Sequence, residues 1–146
     1  MWPEMYEVNE STMALVSIAN VQYRTMVIER ETVIYREESP LSIIKHSCLI
    51  NGSSYEGRIA AVKYLTGISL KTPVAINPDQ GIYAFPTHSP KKFECNWIFL
   101  KHVNLIKEKE QKAVVVLSNS HEVEVGSSYF TIEKQLQRTA YCAVRC

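Results

Sequence analysis

Punctuation between Ser39 and Gly67 constrains this chain more than any other feature. Ser39-Pro40 signals a helix start, because a serine hydroxyl can cap free N–H groups and proline is tolerated in the first turn. Leu41, Ile44 and Cys48, with Leu49 beside them, then recur at helical spacing, and Gly52 can end the helix. A second helix begins at Ser53 or Ser54, where Ser53 and Glu56 stand at capping-box spacing. Tyr55, Ile59, Val62 and Leu65 form its apolar stripe, Arg58 and Lys63 fall off that stripe, and Gly67 closes it. The spacing predicts a helical pair over about 40–67. A helix-turn-helix and any other compact helical hairpin give this same signal.

Extended segments surround the pair. Met13–Ala19, Tyr23–Glu29 and Thr32–Tyr35 precede it, rich in β-branched and aromatic residues. After it come Val74–Asn77, Ile82–Phe85, Trp97–Lys101, Val103–Lys107, Ala113–Leu117 and His121–Val125. Turn chemistry at 77–81 and 118–120 separates them, and Val115–Leu117 with Val123–Val125 reads as a hairpin. Ile132, Leu136, Thr139 or Ala140, and Ala143 or Val144 are spaced for a C-terminal helix over about 128–144. The expectation is an α+β fold, one domain over 1–146, with antiparallel strands and no internal repeat.

At 146 residues, 46% apolar and 21% charged, the chain suits one globular core and gives no sign of disorder. No run of eighteen apolar residues suggests a membrane span, and Met-Trp-Pro-Glu-Met-Tyr-Glu lacks the build of a signal peptide. A cytoplasmic protein without a membrane partner is expected. Cys48, Cys95, Cys142 and Cys146 read as free thiols, since the close pair lacks the second pair of a zinc site.

Net charge is only +1, but it is unevenly spread. Residues 1–40 hold seven acids and three bases, whereas 41–102 hold seven bases and three acids. A basic middle can dock a phosphate backbone, although uneven charge is also ordinary on protein surfaces.

Several residues invite a chemical reading beside a structural one. Gly52-Ser-Ser-Tyr-Glu-Gly-Arg58, with Ser53, Ser54 and Tyr55 at a helix start, can hold an anion on free N–H groups or simply cap the helix. It is no Walker loop, because no Gly-Lys-Ser/Thr follows. Arg58, Lys63 and Lys71 can reach phosphates or a narrow A·T-rich minor groove, and each reads equally as a solvated charge. Phe85-Pro-Thr-His-Ser-Pro-Lys-Lys92, with Lys91 and Lys92, is a groove-contacting wing or a charged loop. His46 and Cys48 point different ways on a helix, and His88, His102 and His121 have no ligand spacing. No catalytic constellation, metal site or cofactor is expected.

One resemblance covers nearly the whole chain. Its core is residues 47–61, Ser-Cys-Leu-Ile-Asn-Gly-Ser-Ser-Tyr-Glu-Gly-Arg-Ile-Ala-Ala, and 135–140, Gln-Leu-Gln-Arg-Thr-Ala. In the same order stand Tyr6-Glu-Val-Asn9, Gly67-Ile-Ser-Leu-Lys-Thr-Pro73, Phe85-Pro-Thr-His-Ser89, Cys95-Asn-Trp-Ile98 and His102-Val103. Together they resemble the competence transcription factor (ComK) family. The resemblance implies a DNA-binding activator of DNA-uptake and recombination genes. It implies a self-associated assembly that reads paired A·T-rich boxes through the minor groove and bends the duplex. Arg58, Lys71 and Arg138 are then candidates for DNA contact, and Phe85, Pro86 and Trp97 belong to the fold.

Asn96, Thr72 and Ile132 depart from residues usual in that family, where Gly, Pro and Phe stand. The chain also stops at Cys146, where relatives continue into a polar tail that serves activation and capture by a Clp-protease adaptor. The resemblance therefore implies a short member. Its alternative function is that of an interaction module, pairing with a full-length relative and binding DNA weakly itself.

Overall fold

Strand residues alternate between two cores, and that alternation places everything else. A computed structural model describes residues 4–146, and the reading of the first seven residues as unlike a signal peptide falls partly outside them, at Met1–Pro3. The described residues form nine strands and three helices. The main sheet contains β1 (Thr12–Ser17), β2 (Thr25–Glu29), β3 (Val33–Arg36), β4 (Val74–Asn77), β5 (Ile82–Pro86) and β6 (Trp97–Phe99). Its order is β3-β2-β1-β6-β5-β4, and every pairing is antiparallel.

Leu15, Val27, Val74, Ile76, Ala84, Trp97 and Phe99 face one core, while Ala14, Ile28, Phe85 and Ile98 face the other. Both faces of the sheet are therefore covered. The first is covered by α1 (Pro40–Ile50), whose Ile43, Ile44 and Cys48 are fully buried, and by Tyr55 and Ile59 of α2 (Tyr55–Thr66). Burying each isoleucine stabilises the fold by roughly 1.5–3 kcal/mol. The second face is covered by a small sheet, β7 (Val103–Lys109), β8 (Lys112–Leu117) and β9 (Glu122–Glu124), and by the first half of α3 (Tyr129–Arg145). Farther along α3, Cys142 clusters with Val62 of α2 and with Ala75 and Tyr83 of the main sheet, so α3 spans from the second core to a third, smaller one.

The α+β class, the helical pair, the β8–β9 hairpin and the terminal helix all appear as expected. Details differ for physical reasons. Leu49 is 63% exposed, and Ile43 and Ser47 occupy the buried positions instead. Ser47 is tolerated there because its Oγ accepts the Val8 N–H at 3.0 Å. Ser54, not Ser53, caps α2, accepting the Gly57 N–H at 2.9 Å.

The Trp97 strand ends at Phe99 because Leu100–His102 tighten into a 3-10 turn, from which His102 Nε2 donates to the Glu10 carbonyl at 2.8 Å. The strand expected at His121–Val125 is confined to Glu122–Glu124. On α3 the buried line runs Ile132, Gln135, Thr139, Cys142, which leaves Val144 83% exposed. Asn96 has a use of its own: its Oδ1 accepts the Ser17 N–H at 2.9 Å and extends the bonding between β1 and the segment leading into β6.

Candidate nucleic-acid interface

The chain leaving α2 lies along the middle of α3, and side-chain bonds tie the two together. Gly67 ends α2 in the left-handed region (φ 77°), with its N–H on the Lys63 carbonyl at 2.9 Å. Four residues on, Lys71 also has positive φ (48°), a conformation that side-chain-bearing residues rarely adopt. What holds it is α3. Arg138 Nη2 donates to the Leu70 carbonyl at 2.7 Å, and Gln135 Nε2 donates to the Lys71 carbonyl at 2.9 Å. Gln135 Nε2 also reaches the Pro86 carbonyl at 2.9 Å, and Arg138 Nη1 returns to Gln135 Oε1 at 2.5 Å.

Between this loop and α3 runs a groove of about 510 Å³. Leu70, Lys71, Phe130, Lys134 and Arg138 line it, with Gln135 in its floor. Three cations therefore converge on one concave strip. Burial lowers the pKa of Arg138 from its ordinary value, but a guanidinium remains charged at neutral pH. Arg138 is committed to backbone carbonyls, so Lys71 and Lys134 are the cations free to meet an anion. Leu70 and Phe130 stand 76% and 74% exposed beside them.

Lys91 and Lys92 lie on the loop between β5 and β6. Together with Arg24 and Phe93 they line a second groove of about 280 Å³ near the start of α1. His88 lies on the same loop. Its Nε2 stands 3.2 Å from Ser127 Oγ, and its Nδ1 lies 3.0 Å from Thr87 Oγ1. Ser127 Oγ donates to the Thr87 carbonyl at 2.8 Å, so the network assigns the proton to His88 Nε2. A threonine rather than a carboxylate backs the ring, and the serine proton is already engaged. The arrangement ties a loop to the start of α3 and does not activate a nucleophile. Burial lowers the His88 pKa; Glu94 opposes this, and Lys71 and Lys92 add to it. Both lysines thus bear on the same ring, one from each groove.

The α1–α2 turn and α2 hold the remaining candidates, of which Ser54 and Lys63 are exposed and the others half-buried. Ser54 is occupied as a cap, and Ser53 is half-buried beside it. The Tyr55 ring meets Trp97 edge-on at 6.3 Å, with Lys45 Nζ 5.8 Å from its centroid. Arg58 Nη2 donates to the Asn51 carbonyl at 3.2 Å, and Arg58 Nε is buried without a partner. Lys63 is exposed on α2.

The candidates therefore separate into three groups and one lone residue. Lys71 and Arg138 share one groove, Lys91 and Lys92 share another, Ser53, Ser54, Tyr55 and Arg58 remain at the turn, and Lys63 stands apart on α2. Lys134, Arg24, Leu70, Phe130 and the pinning role of Gln135 escaped sequence reasoning. The first of these had an available signal, since Lys134 stands four residues before Arg138 and so shares its helix face.

Among the described residues no cluster of histidine, cysteine or acidic side chains could hold a metal ion, and no helix is long and apolar enough to cross a membrane. The family model described as ComK protein matches residues 3–146. The chain is 37% identical over 140 residues to a competence transcription factor of Bacillus subtilis (strain 168), covering 94% of this chain and 73% of that protein. No solved structure matches.

Proposed function

This chain belongs to the ComK family, and from that membership we propose that it is a cytoplasmic transcriptional regulator of genetic competence that binds A·T-rich double-stranded DNA. The observation that carries the DNA reading is the groove between the 67–73 loop and α3, where Lys71, Lys134 and Arg138 line one strip. Cations arranged along a strip suit a phosphate backbone, and the narrow minor groove of A·T-rich DNA concentrates the negative potential that draws such side chains. Lys71 and Lys134 supply the contacts in this reading, while Arg138 holds the loop that presents Lys71. Lys91 and Lys92 meet the backbone farther along.

A net charge of +1 limits what one protomer contributes. Self-association on paired boxes supplies the rest, since linked binding events raise affinity without new contacts. Specificity then comes from the shape and deformability of the duplex more than from base-edge hydrogen bonds.

The test is a salt-titrated gel shift on a duplex with two A·T-rich boxes and on a scrambled control. Binding should prefer the boxed duplex and fall with log salt. Each cation lost, in Lys71→Ala or Lys134→Ala, should reduce the slope by about 1. Equal, weak binding to both duplexes would overturn autonomous recognition and favour a modulator that acts through a longer relative.

A further inference from the structure

Leu70 poses a problem that phosphate binding does not solve. It is 76% exposed and plays no part in any of the three cores, yet it sits between the loop's fixed points. Single exposed leucines are ordinary on protein surfaces. What distinguishes this one is its support. Its own carbonyl is held by Arg138 at 2.7 Å, the next carbonyl is held by Gln135 at 2.9 Å, and Lys71 beside it is kept in the left-handed region (φ 48°). A flexible surface loop needs none of these restraints. They fix the backbone that carries a large aliphatic side chain into a groove whose charged lining residues are cations, with Phe130 also exposed in its lining.

We propose that Leu70 is a wedge, entering the minor groove of the bound duplex and unstacking one base step while Phe130 rests against the opposite side of the groove. This rests on the DNA-binding reading and adds a mechanism of deformation to it. The occupant is argued from charge: Lys71 and Lys134 in the same groove complement the phosphates of a duplex, and the exposed apolar tip of Leu70 beside Lys71 complements the bases. Leucine is among the side chains suited to such insertion, because it fills the space between parted base pairs and makes no demand for a hydrogen-bond partner. A wedge must also resist being pushed aside, and the bonds from Arg138 and Gln135 provide that resistance.

The experiment places 2-aminopurine at successive adenines of the boxed duplex and reads its fluorescence, which rises on unstacking, at saturating full-length chain. A rise confined to one or two adjacent steps is expected. Leu70→Ala should lose it while keeping the salt slope of binding, and Leu70→Met should retain it. Lys134→Ala should do the reverse, lowering the slope and preserving the rise once binding is saturated.

Salt-dependent binding with no rise at any position, or a rise undiminished in Leu70→Ala, overturns the wedge and leaves DNA binding standing. Absence of any box-dependent binding by the unaltered chain overturns both. Leu70 touches no core, so loss of folding does not confuse the result; the unfolding midpoint of Leu70→Ala should match that of the unaltered chain.

Discussion

Gln135 is the side chain on which loop, sheet and helix all depend, so truncating it should have effects well beyond its size. It is 1% exposed, and its amide makes three bonds: to the Lys71 carbonyl, to the Pro86 carbonyl and to Arg138. In Gln135→Ala the Pro86 carbonyl loses a donor inside the protein, at a cost of about 2 kcal/mol. The Lys71 carbonyl lies at the groove rim, where water can replace the amide, so about 1 kcal/mol is lost there. Arg138 loses an acceptor in a partly solvated place, which adds at most about 1 kcal/mol.

The sum is about 3–4 kcal/mol, a large share of the roughly 5–15 kcal/mol that holds a domain together. With a urea m-value of about 2 kcal/mol/M, the unfolding midpoint should fall by about 1.5–2 M. Trp97, fully buried at the centre of the main sheet, is a suitable fluorescent reporter. Gln135→Met separates shape from bonding, since it keeps the volume but none of the hydrogen bonds; about 3–4 kcal/mol should still be lost. A methionine variant within about 0.5 kcal/mol of the unaltered chain would refute the argument, because packing alone would then explain Gln135.

Lys71→Gly removes a cation and at the same time releases a left-handed backbone. Stability should hold or rise by up to about 1 kcal/mol while DNA affinity falls, and a parallel loss of both would contradict that separation. Acid should destabilise the fold through His88 and His102, since burial lowers both below the ordinary value of 6.5. The unfolded chain binds their protons first, so their contribution is complete above about pH 6.5 and declines as pH falls toward their folded values. Unfolding midpoints measured at steps from pH 8 to pH 5 should show this decline, and His88→Gln should make it shallower. Burial pushes Cys48 up to about 11 and Cys142 up to about 12 and also raises Cys95, so at pH 8 a thiol reagent should label Cys146 alone without delay. Two or more fast-labelling thiols in the native protein would count against this packing.

How much of this was legible depends on whether the cause is local. Ser39, Ser54 and Gly67 stand at helix ends because a cap acts within one turn, and α3 shows in its apolar spacing, so the three helices could be read with an error of a residue or two. Strand order could not, because β1 lies between β2 and β6 through a pairing of Leu15 with Trp97 that no neighbouring residue announces. Burial on both faces also erases the alternation that would have shown which side of a strand looks inward.

The groove divides in the same way. Lys71 and Arg138 stood out as charges, and charge alone makes them equivalent. Their bonding makes them different: Arg138 grips a carbonyl of the loop, and Lys71 is what that loop presents. Arg58 shows the converse, a prominent cation whose guanidinium turns toward the Asn51 carbonyl inside its own turn. A bond from a side chain to a distant backbone carbonyl leaves no pattern in a sequence, because every residue carries that acceptor. The distinction between a cation that can bind and a cation that braces therefore arises only at the level of the fold, and here it turns a pair of similar candidates into a proposed contact and its support.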